Sequence, residues 1–116
     1  MTETYNLFQK GREALAKGRA GDATLALEKA KSREPDKASI REALGIAYFR
    51  TRRWAEAEAE FRAMLELAPA DDYAHYALGR ALEKQGRDNE ANGHYKLASS
   101  LRPGDAHYAS RIRDLG

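Results

Sequence analysis

His75, His94 and His107 are the only histidines in the chain, and there is no cysteine. Without thiols, a disulfide scaffold, a thiolate metal site and a cysteine nucleophile are all excluded. A catalytic or structural metal would need three or four converging ligands. The three imidazoles occupy different positions in the helical pattern described below, so they are expected on different faces. Glu56, Glu58 and Glu60 crowd one short stretch and cannot bracket a substrate as paired general acid and base would. No catalytic site, metal or cofactor is expected. The remaining candidate is basic: Arg50, Arg52 and Arg53 stand beside Trp54, the sole tryptophan, as a nucleic-acid patch would.

Overall charge weakens that last reading. Twenty basic and 18 acidic residues leave a net charge of +2, a mixed surface rather than a polycation. No apolar run approaches the roughly 18 residues of a membrane helix. The start, MTETYNLFQK, has neither the basic nor the apolar region of a secretory signal. With no cysteine, this fits a cytoplasmic setting. Arginine outnumbers lysine and alanine is abundant, as in GC-rich bacterial genomes.

The elements that must carry these side chains follow from a ruler in the sequence. Pro35, Pro69 and Pro103 are each 34 residues from the next. Gly11, Gly45 and Gly79 keep the same step, as do Ala23, Ala57 and Ala91. One large apolar position is held by Leu27, Phe61 and Tyr95, and another position by Ala30, Met64 and Ala98. Such a period marks a repeat architecture. Within a unit the spacing is helical: Leu44 and Tyr48 lie four apart, as do Ala57 and Phe61, with Met64 three further on. Each proline closes a second helix, since proline cannot continue a helix interior. The conserved step of small residues lets paired helices approach closely. Helices are therefore predicted at about 4–17, 20–33, 38–51, 54–67, 72–85 and 88–101, with a seventh near 105–115. Glu58 can pair with Arg62 one turn on, worth about 0.2–0.5 kcal/mol. Arg52 stands where Gly18 and Gly86 stand, so a strained or reshaped turn is expected there.

These residues resemble the tetratricopeptide repeat (TPR), whose pattern runs Trp-x2-Leu-Gly-x2-Tyr, then Ala-x3-Phe, then Pro. The second unit carries Leu44-Gly45, Tyr48, Ala57, Phe61 and Pro69. The third carries Leu78-Gly79, Leu82, Ala91, Tyr95 and Pro103. The first carries Gly11, Ala23, Leu27 and Pro35, but Lys10 and Ala14 replace the usual Leu and Tyr. The family's Trp position holds Leu7, Arg41 and His75. The resemblance implies an all-α fold, a right-handed α-solenoid of three helix-turn-helix repeats (4–37, 38–71 and 72–105) in one domain. A capping helix at 106–115 would solvate its end. It is the pattern of a small, stand-alone bacterial three-repeat protein.

The family's members are binding modules whose first helices line a concave groove, not enzymes. Carried onto this sequence, the lining is Tyr5, Phe8, Arg12, Leu15 and Ala16 in the first repeat. The second offers Ser39, Glu42, Ile46, Phe49 and Arg50, and the third Tyr73, Tyr76, Arg80, Glu83 and Lys84. His107 is added by the cap. The candidate peptide-binding residues are Tyr5, Phe8, Arg12, Ile46, Phe49, Arg50, Tyr73, Tyr76, Arg80 and Lys84. Rings alternate with cations, which suits a protein or peptide partner carrying acidic groups beside apolar anchors. The bland reading is that Phe8, Leu15, Ile46 and Phe49 only pack between helices. The carboxylate clamp of Hsp70 and Hsp90 co-chaperones would fall at Phe8, Arg12, Ala43, Tyr73 and Ala77, and none of its residues is retained. The alternative function is a self-associating scaffold, with Tyr108, Ile112 and Leu115 on one side of the cap helix. Nucleic acid ranks below both, because acids are interspersed among the arginines.

Overall fold

The computed structural model describes residues 2–115. Six helices form three hairpins: α1 (Glu3–Ala16) with α2 (Ala20–Arg33), α3 (Ala38–Arg50) with α4 (Trp54–Leu67), and α5 (Asp72–Lys84) with α6 (Asp88–Leu101). Each helix packs mainly on its neighbours along the chain. The molecule measures 48 × 24 × 21 Å, with a radius of gyration of 14.5 Å. A globule of this length would have a radius of about 13 Å. No helix among the described residues is long and apolar enough to cross a membrane.

The small-residue positions are where the helices touch. A Cβ added to Gly45 would lie 2.5 Å from the Phe61 ring, and one on Gly79 would lie 2.5 Å from the Tyr95 ring. Gly11 meets Leu27 in the same way, at 2.4 Å. Leu27, Phe61 and Tyr95 are almost fully buried by this contact, beside Ala23, Ala57 and Ala91. The 34-residue period is thus a repeated contact of a large apolar side chain with helix backbone, which no side chain on the glycine would permit.

Both turns of each repeat have a local cause. Within the hairpins, residues 18, 52 and 86 adopt positive φ. At the first, Gly18 N–H donates to the Leu15 carbonyl and Arg19 N–H to that of Ala14, at 3.0 and 2.8 Å. Arg52 and Arg53 make the equivalent bonds to Phe49 and Tyr48, and Gly86 and Arg87 to Glu83 and Leu82. This pair of bonds is the Schellman helix stop. The middle turn therefore keeps the shape of the other two, and Arg52 is forced to φ 62° to do so. Between repeats, Glu34, Ala68 and Arg102 leave the helical region, at φ −137°, −146° and −134°, as the following proline disfavours it. Asp71 then caps α5 by accepting from Ala74 N–H at 3.1 Å.

The cap differs from expectation. α7 is a single turn, Ala106–Ala109, not a helix to residue 115. Asp105 caps its start, but Ser110 Oγ donates back to the His107 carbonyl at 2.8 Å, which competes with continuation. Beyond it the chain is captured by the Asn92 side chain. Asn92 Nδ2 donates to the Arg113 carbonyl and its Oδ1 accepts from Arg113 N–H, at 2.8 and 2.7 Å. Tyr108 is buried and Ile112 packs against the core, but Leu115 stays 39 % exposed.

Candidate functional site

The first helices of the three repeats line two adjoining recesses. Phe8, Arg12 and Leu15 of α1 face Ser39, Glu42 and Ile46 of α3 across the first. The second, of about 130 Å³, lies between α3 and α5 and is lined by Ile46, Phe49, Arg50, Tyr73, Tyr76 and Arg80. Ile46 belongs to both, so the recesses form one groove. Eight of the ten candidate residues line it. Tyr5 and Lys84 do not: Tyr5 is 60 % exposed and accepts from Gln9 Nε2, while Lys84 lies over the Trp54 ring.

The groove's rings are half-buried rather than hidden, and Phe8, Phe49, Tyr73 and Tyr76 also rest on the core. Packing and display are therefore not alternatives here. Each ring's inner edge stiffens the array and its outer edge is offered to the groove. Tyr76 is the hub. Its ring contacts those of Tyr73, Tyr95, His107 and Tyr108, and its hydroxyl lies 2.7 Å from His107 Nε2. His107 thus closes the groove's C-terminal end, as its register suggested. The Tyr73 phenol is held above its usual range, first by burial and then by the Glu42 carboxylate.

The groove cations are held by rings and carbonyls instead of carboxylates. Arg12 lies over Phe8 at 5.6 Å and Arg80 over Phe49 at 5.2 Å. Arg50 Nη1 donates to the Leu15 carbonyl at 3.1 Å, tying α3 to α1. Among the described residues, Arg12, Arg50, Arg80 and Lys84 form no ion pair. Two networks away from the groove show the opposite arrangement. Lys31 and Arg41 both bind Glu60, and Arg62 and Arg87 both bind Glu58 and Glu90. The Nε of Arg80 is buried with no hydrogen-bond partner. A buried guanidinium donor left unpaired is rare and costly. Cation–ring stacking fixes these arginines while leaving donors free, which is a geometry ready for an acidic group.

The arginine cluster beside Trp54 comes apart. Arg50 enters the groove and Arg52 occupies the turn. Arg53 stacks over Tyr48 and binds Glu56 through two bonds of 2.9 and 2.6 Å. Trp54 meets Phe49 edge-on at 4.9 Å, at the end of the hairpin. The anticipated Glu58–Arg62 pair is present at 2.8 Å.

One expectation fails. The histidines do not all lie on separate faces: His75 Nδ1 is 3.0 Å from His94 Nδ1, with the rings stacked. His75 is buried, and its Nε2 reaches the Pro69 carbonyl at 2.9 Å. The register contains the reason. His75 and His94 stand 34 residues after Arg41 and Glu60, which form a pair at 3.0 Å, and Arg41 likewise binds the Pro35 carbonyl. Comparing these two positions between repeats would have revealed the contact. No cluster of three or more potential metal ligands occurs among the described residues.

Comparison with known proteins agrees with the architecture. A family model described as tetratricopeptide repeat matches residues 8–72, and a second of the same description matches residues 52–112. No curated protein sequence matches the chain. Among solved structures, the first TPR domain of Spaghetti (RPAP3), bound to the HSP90 peptide SRMEEVD, superposes with a TM-score of 0.89. It is 22% identical, over 96% of this chain and 88% of that one. A mutant of MamA gives 0.85 at 27% identity, over 90% of this chain and 76% of its own. YrrB, a TPR protein with an unusual peptide-binding site, gives 0.89 at 17% identity, over 95% and 57%. The right-handed α-solenoid is thus shared with proteins that differ widely in sequence, and such folds serve generally as protein-interaction modules rather than catalysts. Three hairpins that each pack a large apolar side chain on a glycine, the proline-terminated 34-residue period and two matching family models together place this chain in the tetratricopeptide repeat family.

Proposed function

We propose that the chain is an adaptor that holds a peptide segment or helix of a protein partner in the groove between α1, α3 and α5. The partner segment presents acidic groups to Arg12, Arg50 and Arg80 and apolar side chains to Phe8, Ile46, Phe49, Tyr73 and Tyr76. The observation that carries this reading is the state of the groove cations. Arg12 and Arg80 are positioned by rings and Arg50 by the Leu15 carbonyl, and none has a carboxylate partner, whereas Lys31, Arg41, Arg62 and Arg87 are paired in networks. Unpaired donors at a preorganised site are where a ligand gains most. Peptide binding by the RPAP3 domain and by YrrB supports the use of such a fold in this way. The Hsp90 tail itself is a poor candidate, because Phe8, Ala43, Tyr73 and Ala77 stand where that clamp needs polar or basic residues. Affinity is expected on the order of micromolar, since an unfolded segment loses entropy on docking.

Affinity capture from native extract with the full chain, in parallel with an Arg50→Gln/Arg80→Gln variant, tests this. Proteins retained by the wild type and lost by the variant support the groove. Identical retention by both would remove it from consideration. Nuclease treatment and a salt series discriminate a nucleic-acid partner, whose binding falls steeply and linearly in log salt.

A further inference from the structure

The groove is electrically polarised across its width. Two chain reversals separate α1 from α3 and α3 from α5, so the three lining helices run in one direction. The groove cations Arg12, Arg50 and Arg80 all lie in the C-terminal halves of these helices. The acid that lines the recesses lies at the other edge, while Glu83, on the cationic side, is taken up by Tyr95, Arg111 and Arg113. Glu42 is in the first half of α3, and Asp71 caps the start of α5.

Glu42 is the unexplained member. It lines the first recess and is partly buried. Among the described residues it has neither a hydrogen bond nor an ion pair. Arg12 shares the recess and attracts it, but its guanidinium sits over Phe8 and forms no ion pair with it. Burial, and then the nearby Asp71 carboxylate, hold Glu42 above the usual carboxylate range. Asp71 is committed to Ala74 N–H, so it cannot satisfy Glu42 either. Among the charges around the Tyr73 phenol, the Glu42 carboxylate acts most strongly on it. A partly desolvated carboxylate beside a second acid and an aromatic face is a seat for a cation.

Resting on the groove being a peptide site, we propose that Glu42 receives a basic side chain of the ligand. The partner segment is then bipolar: a Lys or Arg at the acidic edge, and Asp or Glu at the Arg50 and Arg80 edge. Glu42 and Arg50 are eight residues apart on α3, about 12 Å along its axis. An extended segment advances about 3.3 Å per residue, so charges about two to four residues apart reach both edges. The same polarity fixes the ligand's direction, because reversing it sets like charges against each other at both ends.

A phage-displayed library of random linear peptides, selected on the full chain, provides the test. Selections are run on the wild type, Glu42→Gln and Arg50→Gln/Arg80→Gln, with circular dichroism confirming that each is folded. The wild type is expected to enrich peptides with Lys or Arg within about four positions of Asp or Glu. On Glu42→Gln the basic preference should vanish while the acidic one stays. A wild-type-selected peptide should bind that variant about tenfold more weakly, the loss expected for one charge-assisted contact. Unchanged basic enrichment on Glu42→Gln overturns the inference. So does a wild-type selection of acidic and apolar residues alone, though that leaves the groove reading standing. Enrichment on Arg50→Gln/Arg80→Gln equal to the wild type, or no enrichment at all, removes both.

Discussion

The guanidinium carbon of Arg80, on α5, lies 5.2 Å from the centre of the Phe49 ring on α3. The contact crosses from one repeat to the next and lines the recess between α3 and α5. Its consequence is that Arg80 is placed without being neutralised. Arg80 Nη1 has only a long contact of 3.4 Å with the Tyr76 hydroxyl, and Nε has no partner.

Arg80→Lys should therefore not be conservative. An ammonium cannot stack as a plane or bond a carboxylate by two parallel donors. Isothermal titration of a peptide selected on the wild type should show affinity reduced about tenfold. Thermal melting should move by only a few degrees, because Arg80 is at the groove surface. A variant with wild-type affinity would show that Arg80 is a packing residue alone.

Alanine at two glycines should have opposite effects. A Cβ on Gly45 meets Phe61 at 2.5 Å, so Gly45→Ala forces the hairpin apart and should cost about 1–3 kcal/mol. Gly93 is helical and exposed, and nothing lies within 4 Å of a Cβ there. Gly93→Ala should stabilise by about 0.5–1 kcal/mol through lower unfolded-state entropy and better helix propensity. Chemical denaturation of both variants checks the signs. A neutral Gly45→Ala would contradict the packing of α3 on α4.

The middle turn stores strain that a glycine would release. Arg52 sits at φ 62° with the same pair of helix-stop bonds that Gly18 and Gly86 make. A left-handed conformation costs a non-glycine residue about 1 kcal/mol. Arg52→Gly should raise stability by about 0.5–1 kcal/mol and leave ligand binding unchanged, since Arg52 is outside the groove. A lower melting temperature would mean that the arginine side chain contributes more than its backbone loses.

How much of this was legible in the sequence depends on whether a feature is periodic. Pro35, Pro69 and Pro103 mark helix ends, and Gly45 with Phe61 marks a close approach, because the same physical need recurs every 34 residues. The register also brings Phe49, Arg50, Tyr73, Tyr76 and Arg80 to one recess. Features that occur once were harder. The cap ends after one turn because Asn92 captures the backbone of Arg113, and a contact between residues 21 apart leaves no local signature. Tyr5 shares the register of Ser39 and Tyr73, which line the recesses, yet it is 60 % exposed and accepts from Gln9. The unpaired state of Glu42 and Arg80 depends on what their neighbours do, which spacing does not reveal.

The two histidines give the array an acid-sensitive joint. His94 is held below the usual imidazole range, first by burial, then by His75 and by Arg62. The unfolded chain therefore binds a proton at His94 more readily than the folded chain does. Stability from this group is complete above the ordinary imidazole value near 6.5 and is lost as pH falls from there toward the lower folded value. The melting temperature should thus drop on acidification below about pH 6.5, well before the carboxylates protonate. In the preceding repeat the same two positions hold Arg41 and Glu60, an ion pair at 3.0 Å with no imidazole in it. His75→Arg/His94→Glu would copy that pair into the third repeat, with the new arginine placed to reach the Pro69 carbonyl as Arg41 reaches that of Pro35. The double variant should melt at nearly the same temperature at pH 7 and pH 5.5, while the wild type does not. Equal acid sensitivity in both would place the titrating group elsewhere. Because Tyr76 and Arg80 lie on the same helix as His75, the comparison also shows whether loosening this joint reaches the groove: ligand affinity should fall with pH in the wild type and hold in the double variant.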